Sequence, residues 1–158
     1  MVLDNGTTQT CGPPSSIFEQ PPTEGVTRLL GCRNVWTGKV DRRWPQICDA
    51  KICICEQNTR GGLNDHRTST WVIRAEHVEV RLLDDDVTFD GIVTDLRYRG
   101  TSVKARISGP GIDVVVSIDP SKAPTIGSRV GIHLPPQHLI EVAASKLGHN
   151  SLTTGASP

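Results

Sequence analysis

Residues 71–80 read W-V-I-R-A-E-H-V-E-V. Trp71, Val72 and Ile73 are residue types that fit a buried, pleated surface. Arg74, Ala75, Glu76 and His77 interrupt them as a charged turn, and Val78 and Val80 then resume at a spacing of two, one face of a strand. The stretch predicts strand, turn, strand. Beyond the charged turn Asp84-Asp85-Asp86, further strands are expected at 87–96, 102–107, 111–118, 129–134 and 139–142, separated by turns such as Ser108-Gly109-Pro110-Gly111. Several short strands at regular spacing favour a small closed or partly open barrel over a sandwich.

Upstream, 34–40 reads as a strand approach. Residues 51–56 alternate, with Ile52 and Ile54 on one face and Cys53 and Cys55 on the other, and the polar stretch 57–69 reads as a loop. The segment 34–40 echoes 87–93: each places an aromatic two residues before a glycine and a valine two residues after it. The echo implies a strand type used twice, or two related half-barrels. The first 31 residues differ. Asn5-Gly6 between Val2-Leu3 and 7–10 predicts a hairpin. Gly12-Pro13-Pro14 then opens a short helix that Pro21-Pro22 stops. Thr23 caps a second helix with Val26, Leu29 and Leu30 as its apolar face, and Gly31 ends it. The domain reading is an appendage at 1–31, a β domain at 32–143 and a disordered tail at 144–158.

Composition narrows the function. Lys and Arg total 17 and so do Asp and Glu, a net charge of zero, which argues against a nucleic-acid or acidic-membrane binder with a basic face. No apolar run approaches the roughly 18 residues that span a bilayer, and the N-terminus has no signal-peptide pattern, so a cytoplasmic location is expected. The five cysteines, Cys11, Cys32, Cys48, Cys53 and Cys55, read as reduced thiols, because no second C-x-x-C-type pair completes a zinc site. With few aromatics, the core must rest on Val, Ile and Leu. No Ser/His/Asp or Cys/His arrangement has catalytic spacing.

Three blocks in order resemble one family. L-D-N-G (3–6) with G-P-P-S-S-I-F-E-Q-P (12–21) resembles the last hairpin and helix of an ABC transporter nucleotide-binding domain. V-T-R-L-L-G-C-R-N-V-W-T-G-K-V (26–40) is similar to its linker helix and the opening of its accessory domain. I-R-A-E-H-V-E-V (73–80), G-I-V-T-D-L-R-Y-R-G (91–100) and G-S-R-V-G-I-H-L-P-P-Q-H-L-I-E-V (127–142) resemble the rest of that OB-like accessory domain, called TOBE, with Ala75 where the family has Pro. The ATPase parts have no counterpart. Between Gly31 and Gly38-Lys39 lie six residues rather than the four of a phosphate loop, and Val40 stands where a Mg²⁺-binding hydroxyl would be. No Walker B carboxylate or signature motif is recognisable either.

The resemblance implies a non-catalytic regulatory and dimer-supporting domain of an importer's ATP-binding subunit, one that begins just before the ATPase domain ends. ATP and Mg²⁺ would belong to the missing domain, and permease subunits would be reached through the full-length protein at the inner face of the membrane. It also implies an oxyanion ligand such as molybdate, tungstate or sulfate, held by Cys32, Arg33 and Asn34 with Ser121 and Lys122, since hydroxyl, amide and cation satisfy an oxyanion's oxygens. Arg74 and Glu76 are either a partner contact or a surface pair orienting their turn. The alternatives are a stand-alone oxyanion-binding or storage protein and, last, a nucleic-acid-binding OB domain.

Overall fold

The computed structural model describes residues 1–4, 6–41, 44–47, 50–51, 67–83 and 87–143. The readings placed on the cysteine-rich stretch (Cys48, Cys53, Cys55), on Asp84-Asp85-Asp86 and on the tail 144–158 lie outside the described residues.

Two antiparallel strands, β1 (Val2–Asp4) and β2 (Thr7–Thr10), form the N-terminal hairpin. Helix α1 (Pro14–Glu19) starts at its proline and ends before Pro21-Pro22. In α2 (Glu24–Leu29), Thr23 Oγ1 accepts the Val26 N–H at 3.3 Å, and Gly31 at φ +82° provides the left-handed stop that other residues rarely adopt. Of its expected apolar face, Val26 is fully buried but Leu29 is 52% exposed. Six residues make too few turns to bury a whole stripe. Thr27, also buried, fills the inner side instead.

Ten strands follow: β3 (Asn34–Asp41), β4 (Trp44–Ile47), β5 (Ala50–Lys51), β6 (Arg67–Ile73), β7 (Glu79–Arg81), β8 (Phe89–Arg99), β9 (Ser102–Gly109), β10 (Ile112–Ile118), β11 (Arg129–His133) and β12 (Ile140–Val142). The strand ending at Ile73 starts at Arg67, inside the expected loop. Thr68, Ser69 and Thr70 pair in register with Lys39, Gly38 and Thr37, and that ladder outweighs their polarity.

The fold is mainly β and OB-like, in the open of the two expected forms. Among the described residues the strands divide into two five-stranded sheets, ordered β12-β6-β3-β4-β5 and β10-β9-β8-β11-β7. The sheets share one plan. Each has a three-strand meander (β3-β4-β5, β8-β9-β10) and a fourth strand (β6, β11) on the far side of the meander's first strand. Each then receives its last strand from the other half: β7 follows β6 but pairs with β11, and β12 follows β11 but pairs with β6. The two strands that echo each other in sequence, β3 and β8, occupy the same place in this plan.

Between the sheets lies one core of Trp71, Ile73, Val78, Val93, Ile107, Ile112, Val114, Val116, Ile132, Leu134 and Leu139. It rests on aliphatic residues, with Trp71 the one fully buried aromatic among the described residues. Along β9, Val103, Ala105 and Ile107 are fully buried while Lys104 and Arg106 are exposed, the alternation of a sheet with one dry face. Gly91 of β8 sits where an added Cβ would come within 2.7 Å of Ile107 Cγ2 and 2.9 Å of the Ser108 carbonyl oxygen, so close packing of β8 on β9 demands glycine. The N-terminal segment docks on the end of β12: Glu24 N–H donates to the Ala143 carbonyl at 3.0 Å, and Ala143 N–H to that of Pro22 at 3.3 Å.

Candidate functional site

Two clefts flank the start of β3; Cys32 lines the first, Arg33 the second and Asn34 neither. The first has a volume of about 390 Å³ and lies between the helical segment and the N-terminal sheet, lined by Phe18, Pro21, Leu30, Cys32, Ile73, Arg74, His77, His138 and neighbours. Cys32 is half-buried there, and its thiol donates to the Ile73 carbonyl at 3.3 Å. Burial pushes this thiol's pKa up, opposed by the Asn34 backbone hydrogen bond and by the charge of Arg74. Arg74 donates to the Phe18 carbonyl at 2.6 Å and its guanidinium lies 5.1 Å from the Phe18 ring centroid, while its pairing with Glu76 is a loose 3.5 Å. Arg74 thus fastens α1 to the turn after β6, a contact between residues 56 positions apart that sequence spacing could not reveal.

At the rim of the same cleft, the His77 and His138 rings stack with centroids 4.0 Å apart. They come from corresponding turns, after β6 and after β11. Burial lowers the His77 pKa, and repulsion from His138 adds to the shift.

Asn34 lies 1% exposed between the sheets. Its amide donates to the Val115 carbonyl and its Oδ1 accepts the Val115 N–H, both at 2.7 Å. The side chain acts as a substitute strand partner for β10, and both ends of the amide are committed.

The second cleft, about 560 Å³, lies on the outer face of β8 and β9 and is lined by Gly31, Arg33, Asp95, Arg97, Arg99, Lys104, Ala105, Arg106 and Val115. Arg33 therefore faces a concentration of cations. A net charge of zero conceals this segregation, which sequence reasoning missed. The signal was the alternation of Arg97, Arg99, Lys104 and Arg106 with apolar residues across one hairpin. Ser121 and Lys122 line neither cleft. The Ser121 hydroxyl and N–H both donate to the Asp119 carboxylate, at 2.5 and 2.8 Å, which holds that carboxyl below its usual range. The structure thus keeps Cys32, Arg33 and Asn34 together in the chain but turns them to three surroundings, with Ser121 engaged elsewhere. No metal-binding group of three His, Cys, Asp or Glu side chains occurs among the described residues.

Residues 71–140 match the family model of the TOBE domain. Over 139 residues, 88% of its length, the chain is 20% identical to the spermidine/putrescine import ATP-binding protein PotA of Clostridium acetobutylicum, and it spans 38% of that protein. In fold it is similar to the cytoplasmic molybdate-binding protein ModG solved with molybdate bound: TM-score 0.59, 12% identity, covering 71% of this chain and 96% of that one. TOBE and ModG-type domains are binding modules rather than catalytic ones. No helix among the described residues is long and apolar enough to cross a membrane. Residues 71–140 thus match a TOBE domain, and most of the chain is similar to the ATP-binding protein of an ABC importer.

Proposed function

We propose that the chain acts by binding, as the regulatory and dimer-supporting accessory domain of an ABC importer's ATP-binding subunit, in the cytoplasm at the inner face of the membrane. The observation that carries this reading is the similarity to PotA over 139 residues, 88% of the chain, which reaches well beyond the TOBE match at 71–140. In the full-length protein, permease subunits would be the partners and ATP and Mg²⁺ the cofactors of the ATPase part. Arg74 and Glu76 would contact the partner from the rim of the first cleft.

The solute follows from charge. PotA is named for polyamines, which are cations, and ModG for molybdate, an anion. Arg33 opens onto a cleft with five cationic and one acidic side chain, Arg33, Arg97, Arg99, Lys104, Arg106 and Asp95, which repels a polyamine and attracts an oxyanion. We therefore favour molybdate, tungstate or sulfate, held by Arg33 with Cys32, Asn34, Ser121 and Lys122. In that set Arg33 supplies the charge and Lys122 a second cation, while Asn34 and Ser121 must give up their present bonds to take part.

Calorimetric titration of the folded chain with molybdate, sulfate and spermidine tests this. Heat with the oxyanions and none with spermidine is the expected result; no heat with either oxyanion removes the anion site. The ModG likeness favours a second reading, a stand-alone oxyanion-binding protein. It requires stoichiometric anion binding by a stable oligomer without an ATPase partner, which sedimentation of the loaded chain distinguishes.

A further inference from the structure

We propose that the cleft on the outer face of β8 and β9 binds a small polyanion carrying several linked phosphate-type groups. The inference extends beyond the transporter reading and does not rest on it. Three observations carry it.

The first is charge placement. In the hairpin register Arg97 stands directly opposite Lys104, a like-charge pair that destabilises a bare sheet. Asp95 stands opposite Arg106 but is taken by Arg97, whose Nε lies 2.7 Å from Asp95 Oδ2. Among the described residues, Arg33, Arg99, Lys104 and Arg106 make no ion pair with a carboxylate. The fold therefore holds four uncompensated cations on one concave face, an arrangement that a multiply charged anion would relieve.

The second is shape. A volume of about 560 Å³ suits a ligand of several linked groups rather than one tetrahedral oxyanion. The third is chemistry. The guanidiniums offer forked donors that match phosphate oxygens, and Lys104 adds a point charge. Among the described residues no aromatic side chain lines the cleft, so they offer no platform on which a base would stack. Recognition is of the phosphate chain, whether free or attached to a nucleoside.

The test is calorimetric titration of the full chain at low ionic strength with tripolyphosphate, orthophosphate, molybdate and metal-free ATP. Saturable one-to-one binding of tripolyphosphate is expected, at least about tenfold tighter than orthophosphate or molybdate, with ATP no tighter than tripolyphosphate. The double variant K104Q/R106Q should weaken it at least about tenfold while its apo Tm stays level or rises, because a repulsive pair has gone. A residue pair needed only for folding would instead lower Tm. Should the double variant not fold, Arg99→Gln at the exposed end of the hairpin replaces it and should give a clear loss of affinity at unchanged Tm.

No saturable heat with tripolyphosphate overturns the proposal. So does equal binding of molybdate, which would make this a single-oxyanion site, or binding unaffected by the substitutions. Tighter binding of a single-stranded oligonucleotide also overturns it, in favour of a nucleic-acid surface. Failure with tripolyphosphate leaves the importer reading standing, and failure with molybdate alone leaves this site standing.

Discussion

The two sheets follow one strand plan with different contents. Around β8 and β9 the outer positions are charged, Asp95, Arg97, Arg99, Lys104 and Arg106. On β3, the counterpart of β8, and on its neighbour β6 the outward side is Thr37, Lys39 and Thr68, with Thr37 and Thr70 hydroxyls 3.2 Å apart. The core contributions differ as well. Of the buried core residues the N-terminal sheet supplies Trp71 and Ile73, whereas the C-terminal sheet supplies Val93, Ile107, Ile112, Val114, Val116 and Ile132, the last being the counterpart of Trp71. A repeated backbone demands only that each half alternate buried and exposed residues. How bulk and charge are shared is free to diverge, and here the N-terminal sheet sets one large ring into the core while the C-terminal sheet supplies most of the aliphatic core and also bears the cationic cleft.

That division predicts unequal responses to equivalent truncations. Trp71→Ala should cost about 3–5 kcal/mol in urea unfolding, against about 2–3 kcal/mol for the equally buried Ile132→Ala, since the first leaves the larger cavity. Comparable losses would mean the ring leaves no larger cavity. The indole N–H of Trp71 has no hydrogen-bond partner among the described residues, so Trp71→Phe should be far milder than the truncation.

Polar fastening should be unequal too. Asn34→Ala leaves the Val115 N–H and carbonyl without their partner and should cost about 2–3 kcal/mol, with faster hydrogen exchange at the Val115 amide. In the other half, Thr88 Oγ1 accepts only the Leu134 N–H, at 3.0 Å, and Thr88→Ala should cost about 1 kcal/mol. Equal costs would show that the Asn34 bridge contributes nothing special. Of similar size is the effect expected of close packing within one sheet: Gly91→Ala must displace Ile107 or the β9 backbone, for about 1–2 kcal/mol.

How much of this was readable in the chain depends on the range over which each residue acts. Period-two alternation and Gly or Pro turns are local, so β8 through β12 and both helices could be read directly, and the 34–40 and 87–93 echo pointed to the duplicated plan. The start of β6 could not, because Thr68 and Ser69 are polar and become strand only by pairing with β3. The exchange of β7 and β12 is likewise a matter of packing between distant segments. The site was legible in parts. Arg33 was suspected of facing anions, and the cations that share its cleft are on β8 and β9, more than 60 residues away. Asn34 looked like a ligand because nothing local reveals that Val115 consumes its amide. A total charge of zero hid the cleft, since a sum over the chain does not register where charges sit.

The halves meet at His77 and His138, and there the comparison has a dependence on pH. In the folded chain His77 binds its proton more weakly than the ordinary value of 6.5, because burial strips its water and His138 stands 4.0 Å away. The unfolded chain therefore takes up this proton first as pH falls. Stability is complete above the ordinary value and is lost as pH falls through it toward the lowered folded value. Tm should thus decline between about pH 7 and pH 5, and His77→Gln, unable to titrate, should decline less over the same interval. Parallel profiles for the two proteins would place the acid sensitivity elsewhere. A flattened profile would show that protonation loosens the native packing where the two turns join, next to the contacts by which Arg74 holds the N-terminal helix.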